Sequence, residues 1–316
     1  MANDQPTSKK DNFREKMQKV CKLCSSATID VYVRNTLRLV KLLDPQATII
    51  PLKGEFLENP KIFTEFDKLN LNQRRLLSTA AVKSLDAFGK PRLEKWGKRL
   101  ADAAEEYDRL REKRQRSEKE KSKWPAKGFD SLRKAAKIQK QHIVHVMNKN
   151  KTLRDLWEIQ KWLVLVLYSS HALRLDFADV YLQRPNDENK NFLFKYKRKG
   201  WILTMRDYKT SKTRGQIDIK MSRPASLALT KVTPWIKELT KHGKLLTNVQ
   251  GSALSRNGLS KLLTRLTEKL LGKKGFSASL IRVLKSTKHR SMLEQSKALA
   301  DEMMHSQKQN LAYSRK

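Results

Sequence analysis

The sequence predicts a mainly α-helical protein with one small antiparallel β-sheet. Three observations carry this. Apolar residues recur at three- and four-residue spacing over most of the 316 positions. Residues 192–221 alternate instead, in short runs rich in aromatic and β-branched side chains. Breaker pairs such as Asp44-Pro45 and Gly89-Lys90-Pro91 fall where the helical pattern stops.

In chain order, residues 1–27 are polar and basic and read as a flexible arm. From Thr28, Val33, Leu37, Val40 and Leu43 mark the first amphipathic helix. FTEFDKL and NQRRLLSTAAVKSLDAFG read as further helices. Residues 92–123 alternate Glu with Lys and Arg at pair-forming spacing, which predicts one long, solvated linker helix. Trp124-Pro125 and Lys127-Gly128 mark a boundary, so the expected organisation is an arm over 1–27, a helical domain over 28–123 and a second domain over 124–316. The second begins with two helices, SLRKAAKIQKQHIVHVMNKN and TLRDLWEIQKWLVLVLYSS. The latter is apolar almost all round towards its end and should sit at the centre of a core. FLFKYK, WILTMRDY and GQIDIKM form a three-stranded meander with turns at Arg198-Lys199-Gly200 and Thr213-Arg214-Gly215. The remainder is helical: SLALTKVTPWIKEL, NGLSKLLTRLTEKLLG and SLIRVLKSTKHRSMLEQSKALADEMMH.

Charge limits the function classes. Lys and Arg number 68 against 32 Asp and Glu, a formal net charge of +36. A field of that size draws in polyanions, with nucleic acid the first candidate. The longest apolar run, WLVLVLY, is far short of the ~20 residues a membrane helix needs. No segment has the faced design of a membrane-surface helix. The first residues, MANDQPTSKK, lack an apolar signal region, so an intracellular protein is expected, nuclear in a eukaryotic host. The two cysteines, Cys21 and Cys24, form a lone CxxC and read as reduced thiols in the arm rather than a metal site. His142 and His145 share a helix face without a third ligand and read as ordinary histidines. No metal site and no cofactor are expected.

Basic and polar residues stand out at particular places in the second domain. Arg174 lies between Leu173 and Leu175, just after the core helix, with Asp176 as its expected partner. Lys212 sits at a hairpin tip in YKTSKTRG, with Lys209 as a rival. Arg282 falls inside the apolar run Leu280, Ile281, Val283, Leu284, and is expected to be half-buried. His305 and Tyr313 follow. Two guanidiniums suit the non-bridging oxygens of one phosphate.

This order of arginine, hairpin lysine, arginine, histidine and tyrosine resembles the tyrosine recombinase/integrase family, whose catalytic domain is shared with type IB topoisomerases. The quoted stretches are ALRLDFADV, SKTRGQIDI, SLIR and MMHSQKQNLAY, with 23 residues from Arg282 to His305 and 8 more to Tyr313. The look is most similar to divergent members from eukaryotic DNA viruses and mobile elements. The resemblance implies a helical DNA-binding domain, a mixed α/β catalytic domain and metal- and ATP-independent DNA breakage. It makes Tyr313 the nucleophile, Arg174, Arg282 and His305 phosphate ligands, and Lys212 the acid for the leaving 5′-oxygen. Ser279 stands where the family usually has histidine or lysine, and is expected to touch the phosphate. Gln73, Arg74, Arg75, Lys209 and Arg214 are expected DNA contacts, double-stranded DNA the partner, and a dimer or tetramer on DNA the assembly. The chain is expected to bend between His305 and Tyr313, because an unbroken helix would hold them ~12 Å apart. A type IB topoisomerase-like outcome and an inactive DNA-binding relative are the alternatives.

Overall fold

A computed structural model describes residues 9–113, 116, 118–146, 151–272 and 274–304. The chain forms two compact units, Met1–Gln115 and Arg116–Lys316.

The first unit is helical. Helix α1 (Lys9–Val20) is followed by α2 (Ser26–Leu43), α3 (Pro60–Asp67), α4 (Leu71–Phe88) and α5 (Glu94–Glu112). Polar caps place the starts: Ser25 on α2, Asn59 ahead of Pro60 on α3, and a reciprocal Asn70–Gln73 capping box on α4. Gly89 ends α4 in the left-handed conformation, φ 67°.

Two expectations are overturned here. The arm contains the 12-residue helix α1, and Phe13 and Met17, one helical turn apart, bury themselves with Cys21 and Ile29. Only two apolar side chains mark this face, which is why composition reads it as unstructured. The charged helix of 92–123 is not one solvated linker: α5 stops at Glu112, and a single turn, α6 (Glu118–Lys121), belongs to the other unit. Trp96, Leu100 and Ala103 make an apolar stripe on α5, continued by Leu93 just before its start. Trp96 is fully buried between Phe63 and Phe66, and its indole N–H donates to the Leu57 carbonyl at 2.8 Å.

The second unit is mainly helical around a small sheet, as expected. Helix α7 (Ser131–Ile143) packs on α8 (Leu153–Ser170), which is buried on every side from Trp162 to Ser169. Gln160, in the middle of α8, exchanges two 2.7 Å hydrogen bonds with the backbone of Thr247, so its amide is satisfied in the core.

The sheet has the order β1 (Val180–Tyr181), β2 (Asn191–Tyr196), β3 (Gly200–Met205), β4 (Ile217–Lys220). The expected antiparallel meander is β2–β3–β4, and the structure adds a two-residue parallel strand, β1, beside β2. Leu193, Trp201, Leu203 and Met205 face the core. The β3–β4 connection is not a plain turn but a helical turn, α9 (Ser211–Arg214), closed by Gly215 at φ 66°.

Helices α10 (Arg223–Leu239), α11 (Arg256–Leu271), α12 (Ala278–Lys288) and α13 (Arg290–Glu302) complete the unit. Gly275 lies so close to α11 that a Cβ there would stand 1.8 Å from the Thr264 carbonyl oxygen. Ser277 then caps α12. Among the described residues, no helix is long and apolar enough to cross a membrane.

Candidate active site

Arg174 leaves α8 on the segment that turns into β1, and it is half-buried. Its backbone is pinned: the Tyr168 hydroxyl donates to its carbonyl at 2.6 Å, and its own N–H supports Asp176. The expected Arg174–Asp176 ion pair does not form. Asp176, almost fully buried, takes the guanidinium of Arg256 at 3.4 Å, and Arg256 also binds Asp179. Burial pushes the Asp176 carboxyl above its ordinary range, and the nearby charges of Arg256 and Arg174 partly offset this. The Arg174 guanidinium therefore has no ion-pair or hydrogen-bond partner among the described residues.

Arg282 is exposed, not half-buried. Helical geometry explains the correction. Leu280, Ile281 and Leu284 turn towards the core, whereas a residue two positions after Leu280 lies ~200° around the axis. The apolar neighbours of Arg282 in sequence are thus not its neighbours in space. Ser279 is exposed on the same side of α12, one turn before Arg282. Arg282 has no ion-pair partner among the described residues.

Lys212 and Arg214 lie on α9 and Lys209 just before it, all three exposed. The loop is held from within, since the Tyr208 hydroxyl donates to the Gly215 carbonyl at 2.9 Å. His305, Tyr313 and the expected bend between them lie outside the described residues.

Two electrostatic couplings show that these segments lie near one another. The charge of Lys285, on α12 one turn past Arg282, acts on His171, three residues before Arg174. Burial first, and then Lys285, push His171 below its ordinary value, and its Nε2 accepts the Ser222 N–H at 3.1 Å. Arg256 feels Asp207, at the start of the segment carrying Lys209 and Lys212, as well as Asp176 and Asp179. His171, Arg256 and Lys285 were not singled out by sequence. The only sign of them is spacing, three residues from Arg174 and from Arg282, and Arg256 has none because its partners are some 80 positions away.

In the first unit the expected DNA contacts have internal roles. Gln73 completes the cap of α4. Arg74 pairs with Glu106 at 3.1 Å, and the Arg75 guanidinium lies 3.8 Å over the Tyr107 ring.

No family model and no curated protein matches this sequence. Among solved structures, a crystal structure of XerA recombinase is similar over 90% of this chain and 85% of that chain, at 12% sequence identity and a TM-score of 0.36.

Proposed function

We propose that the chain is a site-specific DNA recombinase that breaks and rejoins duplex DNA through a tyrosine. One observation supports this above the others. Several bases around the candidate site are held, with Arg256 and Lys244 on Asp179, Lys288 on Asp130 and Lys285 over Phe129. Arg174 and Arg282, the two arginines of the recombinase order, have no such partner among the described residues. Guanidiniums left unpaired in a chain of net charge +36 suit a phosphate.

In this reading the Tyr313 phenol gives up its proton to solvent as its oxygen attacks the scissile phosphorus, and the bond to the 5′-oxygen breaks. A 3′-phosphotyrosyl ester forms, and Lys212 gives its proton to the departing 5′-oxygen. Arg174, Arg282 and His305 hold the charge that builds on the non-bridging oxygens, and Ser279 adds a hydrogen bond. A 5′-hydroxyl from another strand reverses the steps, so no external energy source enters. The phenol, with an ordinary pKa of ~10, needs that positive field to react. Lys209 and Arg214 contact flanking phosphates, and the protein assembles on its DNA as a dimer or tetramer.

The test is a nicked suicide substrate that traps the covalent adduct. Wild type should form it, and Tyr313→Phe should lose it while keeping DNA binding. An adduct that persists in Tyr313→Phe overturns the proposal. Ser279 favours a second reading, an inactive DNA-binding relative, which predicts no adduct from wild type. Supercoil relaxation by a monomer would instead mark a topoisomerase.

A further inference from the structure

We propose that the β2–β3 hairpin and the groove beside β2 bind an unpaired DNA strand, at a site separate from the residues assigned to cleavage. The outer face of β2 carries two aromatic rings in the open. Phe194 and Tyr196 are 41% and 40% exposed and meet edge to face with centroids 5.0 Å apart. They occupy alternate positions on the strand, so both point the same way. The core-facing position between them is Lys195, which is exposed too.

Beside Phe194 lies a groove of about 420 Å³. Its walls include Phe194 and Trp201 and three cations, Arg184, Lys195 and Lys237, with no carboxylate among the lining residues. The hairpin tip adds Lys197, Arg198 and Lys199, all exposed. None of these six cations has an ion pair among the described residues, whereas nearby Lys190 and Lys244 are held by Asp187 and Asp179. Unrelieved cations on a hairpin tip and in the groove beside it call for a polyanion, and exposed rings call for flat partners. An unpaired strand offers both in alternation, phosphates for the cations and bases to stack on the rings. A duplex offers only the phosphates, because its base faces are already stacked. An acidic protein segment would satisfy the cations and leave the rings unexplained.

The choice of DNA over RNA rests on the proposed function; the chemistry of the site does not. The probe is a fluorescein-labelled oligothymidylate, compared by anisotropy with a duplex of the same length and with oligouridylate. The full-length protein carries Tyr313→Phe, so covalent capture contributes nothing and the result is independent of the adduct test. Phe194→Ala with Tyr196→Ala should weaken oligothymidylate binding by roughly 5- to 100-fold per stacked base and leave duplex binding unchanged. Phe194→Trp should retain or tighten it, with indole fluorescence quenched by the strand. Both rings are on the surface, so circular dichroism should show an intact fold. Equal loss for duplex and single strand, no loss in the double variant, or a preference for oligouridylate would each overturn the proposal.

Discussion

The Tyr168 hydroxyl donates to the Arg174 carbonyl at 2.6 Å, from a ring buried in the core and set edge-on against Phe177 at 5.4 Å. Burial, together with the negative charge of Asp176, holds the phenol well above its ordinary value, so it stays a donor at all working pH. A helix end buried on every side thereby fixes the backbone from which the Arg174 guanidinium projects. Tyr168→Phe keeps the ring and removes the bond. It should cost about 1 kcal/mol, or a few degrees of melting temperature for a unit of this size. Single-turnover cleavage should fall further than DNA affinity does, since the guanidinium loses its anchor. Loss of both in equal measure would mean that the bond serves folding alone.

Arg282 gives a cleaner dissection because it is exposed and unpaired among the described residues. Arg282→Ala should change stability by no more than about 0.5 kcal/mol. On the proposed function, suicide-substrate cleavage should fall about 10²- to 10³-fold, with Arg174→Ala similar. Arg282→Lys should recover only part, since an ammonium cannot span two phosphate oxygens. Cleavage at the wild-type rate in Arg282→Ala would remove this residue from the site.

Much of the fold is legible in the sequence, for physical reasons. The unbroken apolar end of α8 can only be a core, and the short aromatic and β-branched runs between breakers mark β2 and β3 as strands, although burial changes along β2 from its first half to its second rather than alternating. What is hidden is what depends on direction or distance. Arg282 sits among apolar letters yet faces solvent, because linear neighbours diverge around a helix. Arg174 and Asp176 are two apart, yet Asp176 belongs to Arg256 across some 80 positions. Helix α1 has only Phe13 and Met17 to announce its packing. The hairpin lysine was placed by its turn, and that turn proves to be helical.

His171 makes the second unit sensitive to acid. Its Nε2 accepts the Ser222 N–H at 3.1 Å, which requires the neutral ring, and burial with the facing charge of Lys285 on α12 opposes protonation. The folded value is depressed, so below about pH 6.5 the unfolded chain binds the proton more readily. Stability therefore rises with pH through that interval and is lost as pH falls through the folded value. His242, depressed by burial and by Lys244, acts with the same sign. Asp176 has a raised carboxyl and acts with the opposite sign in the carboxylate range. Comparing wild type with His171→Gln isolates the imidazole, since the other two are common to both. Urea midpoints measured between about pH 5 and about pH 7 should rise more steeply in wild type. Parallel slopes would show that His171 does not titrate on unfolding.

Two glycines should respond to alanine in opposite directions. Gly275 approaches α11 so closely that a Cβ would lie 1.8 Å from the Thr264 carbonyl oxygen and 2.8 Å from the Thr264 Cγ2. Backbone cannot swing aside as a side chain can, so Gly275→Ala must push the start of α12 outwards. The neighbouring contacts would move with it, since the Phe276 N–H donates to Thr267 Oγ1 at 2.8 Å and the Phe276 ring is fully buried. A loss of about 3 kcal/mol, at the upper end for overpacking, is expected. Cleavage should suffer too, because α12 carries Ser279 and Arg282. Gly97 is the control. It lies on the exposed face of α5, where a Cβ would meet nothing within 4 Å. Gly97→Ala should stabilise by about 0.5–1 kcal/mol through helix propensity. Denaturant unfolding of both variants decides the matter. A tolerated Gly275→Ala would mean that the close packing of this segment on α11 is not the native arrangement.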